Sequence, residues 1–263
     1  MRITAIFVLS ATTLIAGCTQ NNVQEDQQLK KYFQERNLEG TFGLFDNGHG
    51  TFTIHGLQDF TGKKYAPGPT FHLVDALIGL EIGTIPDISS TLFSDSSDRS
   101  ECNGANNLLT AFRSSCDNWF VQLNQSMDLQ KFKFLLDTMG YASGKGASIL
   151  KGISGTFWND SIAKVTADEQ LGLVKKLYFN KLPLQKRTQE EAKKIMIKEA
   201  DPNYSKFFVA GGGWIIGWIE ENQHPYFFSL YAQPASGGTA TNDQVQELLN
   251  AMLRHYTFMQ GKK

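Results

Sequence analysis

The sequence predicts an α+β domain built on an antiparallel sheet. Three observations carry this: a hairpin signal near the N-terminus, a helical middle, and three strand-like runs followed by one amphipathic helix. The order strands, helices, strands, helix suits a sheet whose first and last strands meet.

Residues 29–37 read as a short helix. Residues 40–46 and 51–55 alternate apolar and polar side chains around Asp46-Asn47-Gly48, a hairpin pattern. Ala66-Pro67-Gly68-Pro69 is a punctuated turn. It leads into residues 70–82, where Phe71, Leu73, Val74, Ala76, Leu77, Ile78, Leu80 and Ile82 are apolar nearly all round. A helix of that kind is buried on most sides. Residues 89–107 are polar and are expected as loop. Residues 108–123, 129–139 and 166–179 read as helices, and residues 207–210, 214–220 and 225–232 as strands. Thr241 opens the last helix with a Thr-x-x-Gln capping box to Gln244. Its apolar stripe runs through Val245, Leu248, Leu249, Met252, Leu253 and Tyr256.

The chain of 263 residues is 41% hydrophobic and 19% charged, so it holds enough apolar surface for a large core. Its 19 Phe, 8 Tyr and 4 Trp are expected mainly inside. A net charge of −1 gives no footprint for nucleic acid. His49, His55, His72, His224 and His255 show no metal-ligand spacing, so neither metal nor cofactor is expected. Gly211-Gly212-Gly213 lacks the Lys and following helix that a phosphate loop needs.

The first residues have their own logic. Met1-Arg2 is a short positive start, residues 3–15 are largely apolar, and Leu14-Ile15-Ala16-Gly17-Cys18 ends the run in small residues. The stretch is short for a membrane span and ends like a cleavage site. It resembles the bacterial lipobox, which implies diacylglycerol on the Cys18 sulfur and Cys18 as the mature N-terminus. An ordinary secretory peptide cut near Ala16 is the alternative. The expected organisation is a lipoprotein signal peptide (1–17), a polar flexible tether (18–28) and one domain (29–263). The membrane is then a partner through the lipid, which contributes about 0.8 kcal/mol per buried methylene. The expected location is the cell envelope, periplasm-facing, and Thr19 after the Cys resembles outer-membrane sorting. Outside the cytoplasm, the remaining Cys102 and Cys116 are a candidate disulfide, although Cys116 lies inside an apparent helix.

Ala66-Pro67-Gly68-Pro69-Thr70-Phe71-His72 and the following Ala76-Leu77-Ile78-Gly79-Leu80-Glu81 resemble the active-site helix of class D β-lactamases and penicillin-sensor domains. Further likenesses run in order. They are the first hairpin, Ser115-Cys116-Asp117, Gly140-Tyr141-Ala142-Ser143, Phe157-Trp158, Leu177-Tyr178-Phe179-Asn180-Lys181-Leu182-Pro183, and Gly213-Trp214-Ile215-Ile216-Gly217-Trp218 with Tyr226-Phe227-Phe228. The resemblance implies a β-lactamase/transpeptidase-like fold, an antiparallel sheet flanked by helices with an all-helical subregion. It also implies β-lactam chemistry in which a Ser opens the helix and a carbamylated Lys three residues later takes its proton.

At those two positions this chain has Pro69 and His72. Proline is a good first helical residue without a nucleophilic atom. The family's Lys-Thr-Gly strand corresponds to Val209-Ala210-Gly211-Gly212, without cation or hydroxyl. Ser115, Asp117, Trp158, Ala210, Gly211 and Gly212 are the expected pocket residues. Ser115 or Thr70 are the candidate substitute nucleophiles, with His72 as base and a Ser115–His72 hydrogen bond expected. Thr70 and His72, two apart on a helix, face different ways.

Three readings follow from these residues. The first is a lipoprotein of this fold without acyl-enzyme chemistry, binding a β-lactam, a peptidoglycan fragment or a protein partner. The second is a hydrolase with a moved Ser or Thr nucleophile. The third is a structural envelope lipoprotein whose old pocket is filled.

Overall fold

A computed structural model describes residues 22–96, 98–142, 144–160 and 162–260. The expected leader, Cys18, the first tether residues and Ser143 lie outside them. In chain order come β1 (Val23–Glu25), α1 (Lys30–Gln34), β2 (Leu38–Asp46), β3 (Thr51–His55) and α2 (Leu57–Gly62). The 3-10 turn Gly68–Phe71 then runs into α3 (His72–Glu81). Next are β4 (Thr91–Asp95), β5 (Gly104–Asn107), α4 (Leu108–Arg113), α5 (Asp117–Ser126), α6 (Leu129–Met139), α7 (Gly146–Gly152), α8 (Ala167–Tyr178) and α9 (Lys186–Ile195). The last elements are β6 (Ile197–Ala200), β7 (Tyr204–Gly211), β8 (Trp214–Glu221), β9 (His224–Pro234) and α10 (Asn242–His255).

The large sheet has the order β1-β3-β2-β9-β8-β7-β6. β2 and β9 pair antiparallel from Leu38↔Pro234 to Asp46↔Tyr226, so the first hairpin meets the last strand, as the element order suggested. β1 pairs parallel with β3, Val23 opposite Phe52, which makes the sheet mixed rather than purely antiparallel. β1 lies within the span 18–28 expected as tether. The later residues of that span are tied down: the Phe52 N–H donates to the Asn22 carbonyl, and the Tyr256 hydroxyl donates to Asp26 at 2.6 Å. Polar side chains gave no sign of this, because β1 pairs through backbone groups and its side chains are half-buried or exposed.

Helices cover both faces. α10 and α1 lie on one face, where Val245, Leu248, Leu249, Met252 and Leu253 pack with Phe42, Ile215, Phe228 and Leu230. The Thr241 capping box closes the start of α10. α8 and α2 lie on the other face, over Phe45, Trp214, Trp218 and Phe227. β8, covered on both sides, is a continuous apolar run. Beyond the α8 face, α3 is surrounded by α4, α5, α6 and α9. Leu73, Val74, Leu77 and Ile78 are fully buried, which accounts for the all-round apolar pattern. Truncating Leu73, Leu77 or Ile78 to Ala would cost about 2–5 kcal/mol.

Two expectations in the middle of the chain are corrected. Residues 89–107 contain the antiparallel ribbon β4–β5 rather than loop alone. Its side chains are mostly exposed or half-buried, so they carry no alternating pattern. The helix expected over 108–123 is two helices, broken at Ser114–Cys116, where Ser115 takes a left-handed φ of 50°. Cys116 is the N-cap residue of α5 and is bonded to Cys102. The apolar periodicity crosses this break because Leu108, Phe112, Trp119 and Phe120 all point to the same core.

α3 also carries Asp75 to its interior, with no exposed surface. Burial holds its carboxyl well above the usual range, and the weaker opposing influence is Asn124 on α5, itself fully buried. The two side chains are not aligned into a hydrogen bond. Burial therefore favours the protonated carboxyl in the folded chain relative to the unfolded one. Stability from this group is complete below about pH 4, the unfolded value, and is lost as pH rises.

Two outcomes are expected from this packing. Reducing the 102–116 bridge, which closes a loop with a sequence separation of 14, should lower stability by about 3 kcal/mol in urea unfolding, and an unchanged midpoint would contradict its role. Asp75→Asn should raise the urea midpoint at pH 8 more than at pH 5, and an equal shift at both would contradict a protonated Asp75.

Candidate functional site

The turn before α3 is fixed from three sides. Tyr65 bridges Val165 through backbone hydrogen bonds, the Trp214 indole N–H donates to the Ala66 carbonyl at 2.8 Å, and the Thr70 hydroxyl donates to the Pro67 carbonyl at 2.6 Å. The turn then meets the end of β7. A Cβ on Gly211 would stand 2.6 Å from the Pro69 Cβ, and one on Gly212 would stand 2.9 Å from the Gly68 Cα. Only glycine fits at these two positions, and Gly212 also has a φ of +63°.

Beside this contact opens a cleft of about 490 Å³, lined by Pro69, Ser115, Asp117, Gly211 and Gly212. Arg99, Glu101, Arg113, Ser114 and Asn242 complete its wall. β6 pairs with β7 only as far as Ile197↔Phe208. The Val209–Gly211 end of β7 thus has no strand partner on that side.

His72 lies beneath the cleft, 1% exposed. Its ring stacks on Phe120 at 3.8 Å with 4° between planes, and the Trp158 ring meets it edge-on at 4.9 Å. Its Nε2 is 3.3 Å from Asp117 Oδ1, an ion-pair distance without hydrogen-bond alignment. Burial pulls the imidazole pKa down and outweighs the opposing attraction of Asp117, so His72 is neutral at pH 7.

The structure brings together Pro69, Ser115, Asp117, Gly211 and Gly212 and separates the other expected residues. The expected Ser115–His72 hydrogen bond is not formed, since neither imidazole nitrogen has a partner among the described residues. The left-handed turn at Ser115 directs Asp117 to His72 instead. Thr70 is fully buried and faces the other way. Its hydroxyl accepts from the Gln170 side-chain amide at 2.8 Å, and Gln170 in turn accepts from the Tyr141 hydroxyl at 3.0 Å. It is corrected as a cleft nucleophile. Trp158 packs in the core and Ala210 packs on the α10 face, because alternate residues of β7 point to opposite sides.

Sequence reasoning missed the charged wall. Arg99 donates to the Ser114 and Ser115 carbonyls at 2.7 and 3.2 Å and pairs with Glu101 at 2.8 Å. Arg113 donates to the Ile195 and Lys194 carbonyls at 3.4 and 3.3 Å. Lone arginines in polar stretches carry no signal that they converge. Among the described residues, no group of three or more His, Cys, Asp or Glu could hold a metal, and no helix is long and apolar enough to cross a membrane.

The chemistry open to this arrangement is narrow. Pro69 offers neither a nucleophile nor a backbone N–H, so the helix start cannot present that donor to a developing oxyanion. The cleft can hold a ligand through the charged side chains that line it.

Comparison with known proteins places this geometry. Residues 33–217 match the family described as penicillin binding protein transpeptidase domain. Beta-lactamase OXA-20 of Pseudomonas aeruginosa is 30% identical over 234 residues, 85% of either chain. Beta-lactamase OXA-48 of Klebsiella pneumoniae is 26% identical over 249 residues, 89% of this chain and 92% of that protein. The solved class D beta-lactamase from Sebaldella termitidis ATCC 33386 superposes with a TM-score of 0.81 at 24% identity, over 91% of this chain and 100% of that one. FUS-1 (OXA-85) from Fusobacterium nucleatum subsp. polymorphum gives 0.79 at 23%, with the same coverage. The chain belongs to the class D β-lactamase and penicillin-binding transpeptidase family.

Proposed function

We propose that this class D β-lactamase-like chain is an envelope lipoprotein that binds its ligand without forming an acyl-enzyme. The observation that carries the reading is Pro69, seated against Gly211 at the helix start where relatives are expected to carry their serine. A neutral, buried His72 beside it supports the same reading, since a base sealed under Phe120 and Trp158 cannot serve a hydroxyl in the cleft. Beta-lactam binding is typical of the family, so a β-lactam or a peptidoglycan fragment is the ligand class to test first.

Acyl transfer by a moved nucleophile has less support. Thr70 is fully buried in its hydrogen-bonded chain, which leaves Ser115 as the one of the two candidates on the cleft. A purely structural role also has less support, since a cleft lies open beside the Pro69–Gly211 contact.

Two measurements test the proposal. Intact-mass spectrometry of the chain lacking its first 18 residues, incubated with a fluorescent penicillin at neutral pH, should show no mass gain. A stoichiometric gain mapped to Ser115 would overturn the reading in favour of a moved nucleophile. Full-length protein expressed in bacteria should fractionate with membranes and carry diacylglycerol on Cys18, and Cys18→Ser should release it. A wild-type chain free of lipid would remove the anchor from the account.

A further inference from the structure

The charges around the cleft constrain what it can hold. Asp117 has a side chain that is 40% exposed. Its Oδ1 is turned to His72, and its other oxygen bonds nothing among the described residues. The neutral imidazole does not cancel the Asp117 charge. A carboxylate is therefore repelled at the Asp117 end of the cleft. Arg99 and Glu101 face each other and balance. Arg113 has no carboxylate partner among the described residues. Only two of its five N–H donors are used, both by carbonyls of the α9 end. The cleft thus offers one unbalanced anion and one unbalanced cation.

Resting on the non-acylating reading above, we propose that the cleft takes a zwitterionic amino acid or short peptide, its ammonium held by Asp117 and its carboxylate by Arg113. A partly desolvated carboxylate is a strong partner for an ammonium, and a guanidinium with spare N–H donors is the best protein group for a carboxylate. Gly212, half-buried on the same wall, borders the cleft without a side chain. A cleft of about 490 Å³ suits a small molecule. Pro69, half-buried on the wall, supplies an apolar contact.

The test is an NMR titration of the chain lacking its first 18 residues, following backbone amides at Ser115, Asp117, Gly211 and Gly212. The probes are alanine in both enantiomers, N-acetylalanine, which lacks the ammonium, and alaninamide, which lacks the carboxylate. At least one alanine enantiomer should shift these amides saturably, and both blocked forms should bind on the order of tenfold more weakly. Asp117→Asn should erase the difference between alanine and N-acetylalanine, and Arg113→Gln the difference between alanine and alaninamide. N-acetylalanine binding as tightly as alanine in the unmodified protein would overturn the proposal, as would silence of all the cleft amides up to the solubility of the probes. Neither result depends on a variant folding. Both would leave the non-acylating reading standing, whereas a covalent penicillin adduct would remove that reading by itself.

Discussion

The contact between the Gly68–Pro69 turn and the end of β7 is the constraint on which the site depends. It joins the helical part to the sheet, and it requires backbone without Cβ at Gly211 and Gly212. The turn is locked independently by Trp214 and by the Thr70 hydroxyl. With both walls fixed, Pro69 in the helical turn brings a side chain without a nucleophilic atom to the cleft. The same anchoring holds the buried Thr70 hydroxyl in the Gln170–Tyr141 chain, away from the cleft lining.

The second feature of the site is the α4–α5 break. Residues 114–116 are held by the Cys102 bridge and by Arg99 on two carbonyls. This puts Ser115 and Asp117 at the cleft while α5 carries Phe120 under the His72 ring. A carboxylate thus stands on the cleft wall with a neutral imidazole below it, which does not offset its charge. That is the reverse of what a strand bearing Lys-Thr-Gly would offer.

Much of the fold was legible because its long elements have strong periodicity. α10 shows a complete apolar stripe with its capping box, and α3 and β8 show the continuous apolar runs of elements covered on all sides. β1, β4 and β5 escaped, since they are held by backbone pairing and show little alternation. The split between α4 and α5 escaped because a disulfide and one left-handed residue, rather than a Gly or Pro, make the break. At the site, Pro69 and His72 could be read from their place in the helix. The direction of Asp117, the burial of Thr70 and the convergence of Arg99 and Arg113 could not, because each depends on how separate helices dock.

The most direct test of the central claim is a stopped-flow absorbance trace with a chromogenic cephalosporin, at protein concentrations high enough to see a single turnover. On the proposed reading, Pro69, with neither a nucleophile nor an N–H, above the sealed His72 predicts a trace no faster than the buffer alone. A burst equal in amplitude to the protein would contradict it, because only a covalent intermediate formed faster than it is released leaves that signature.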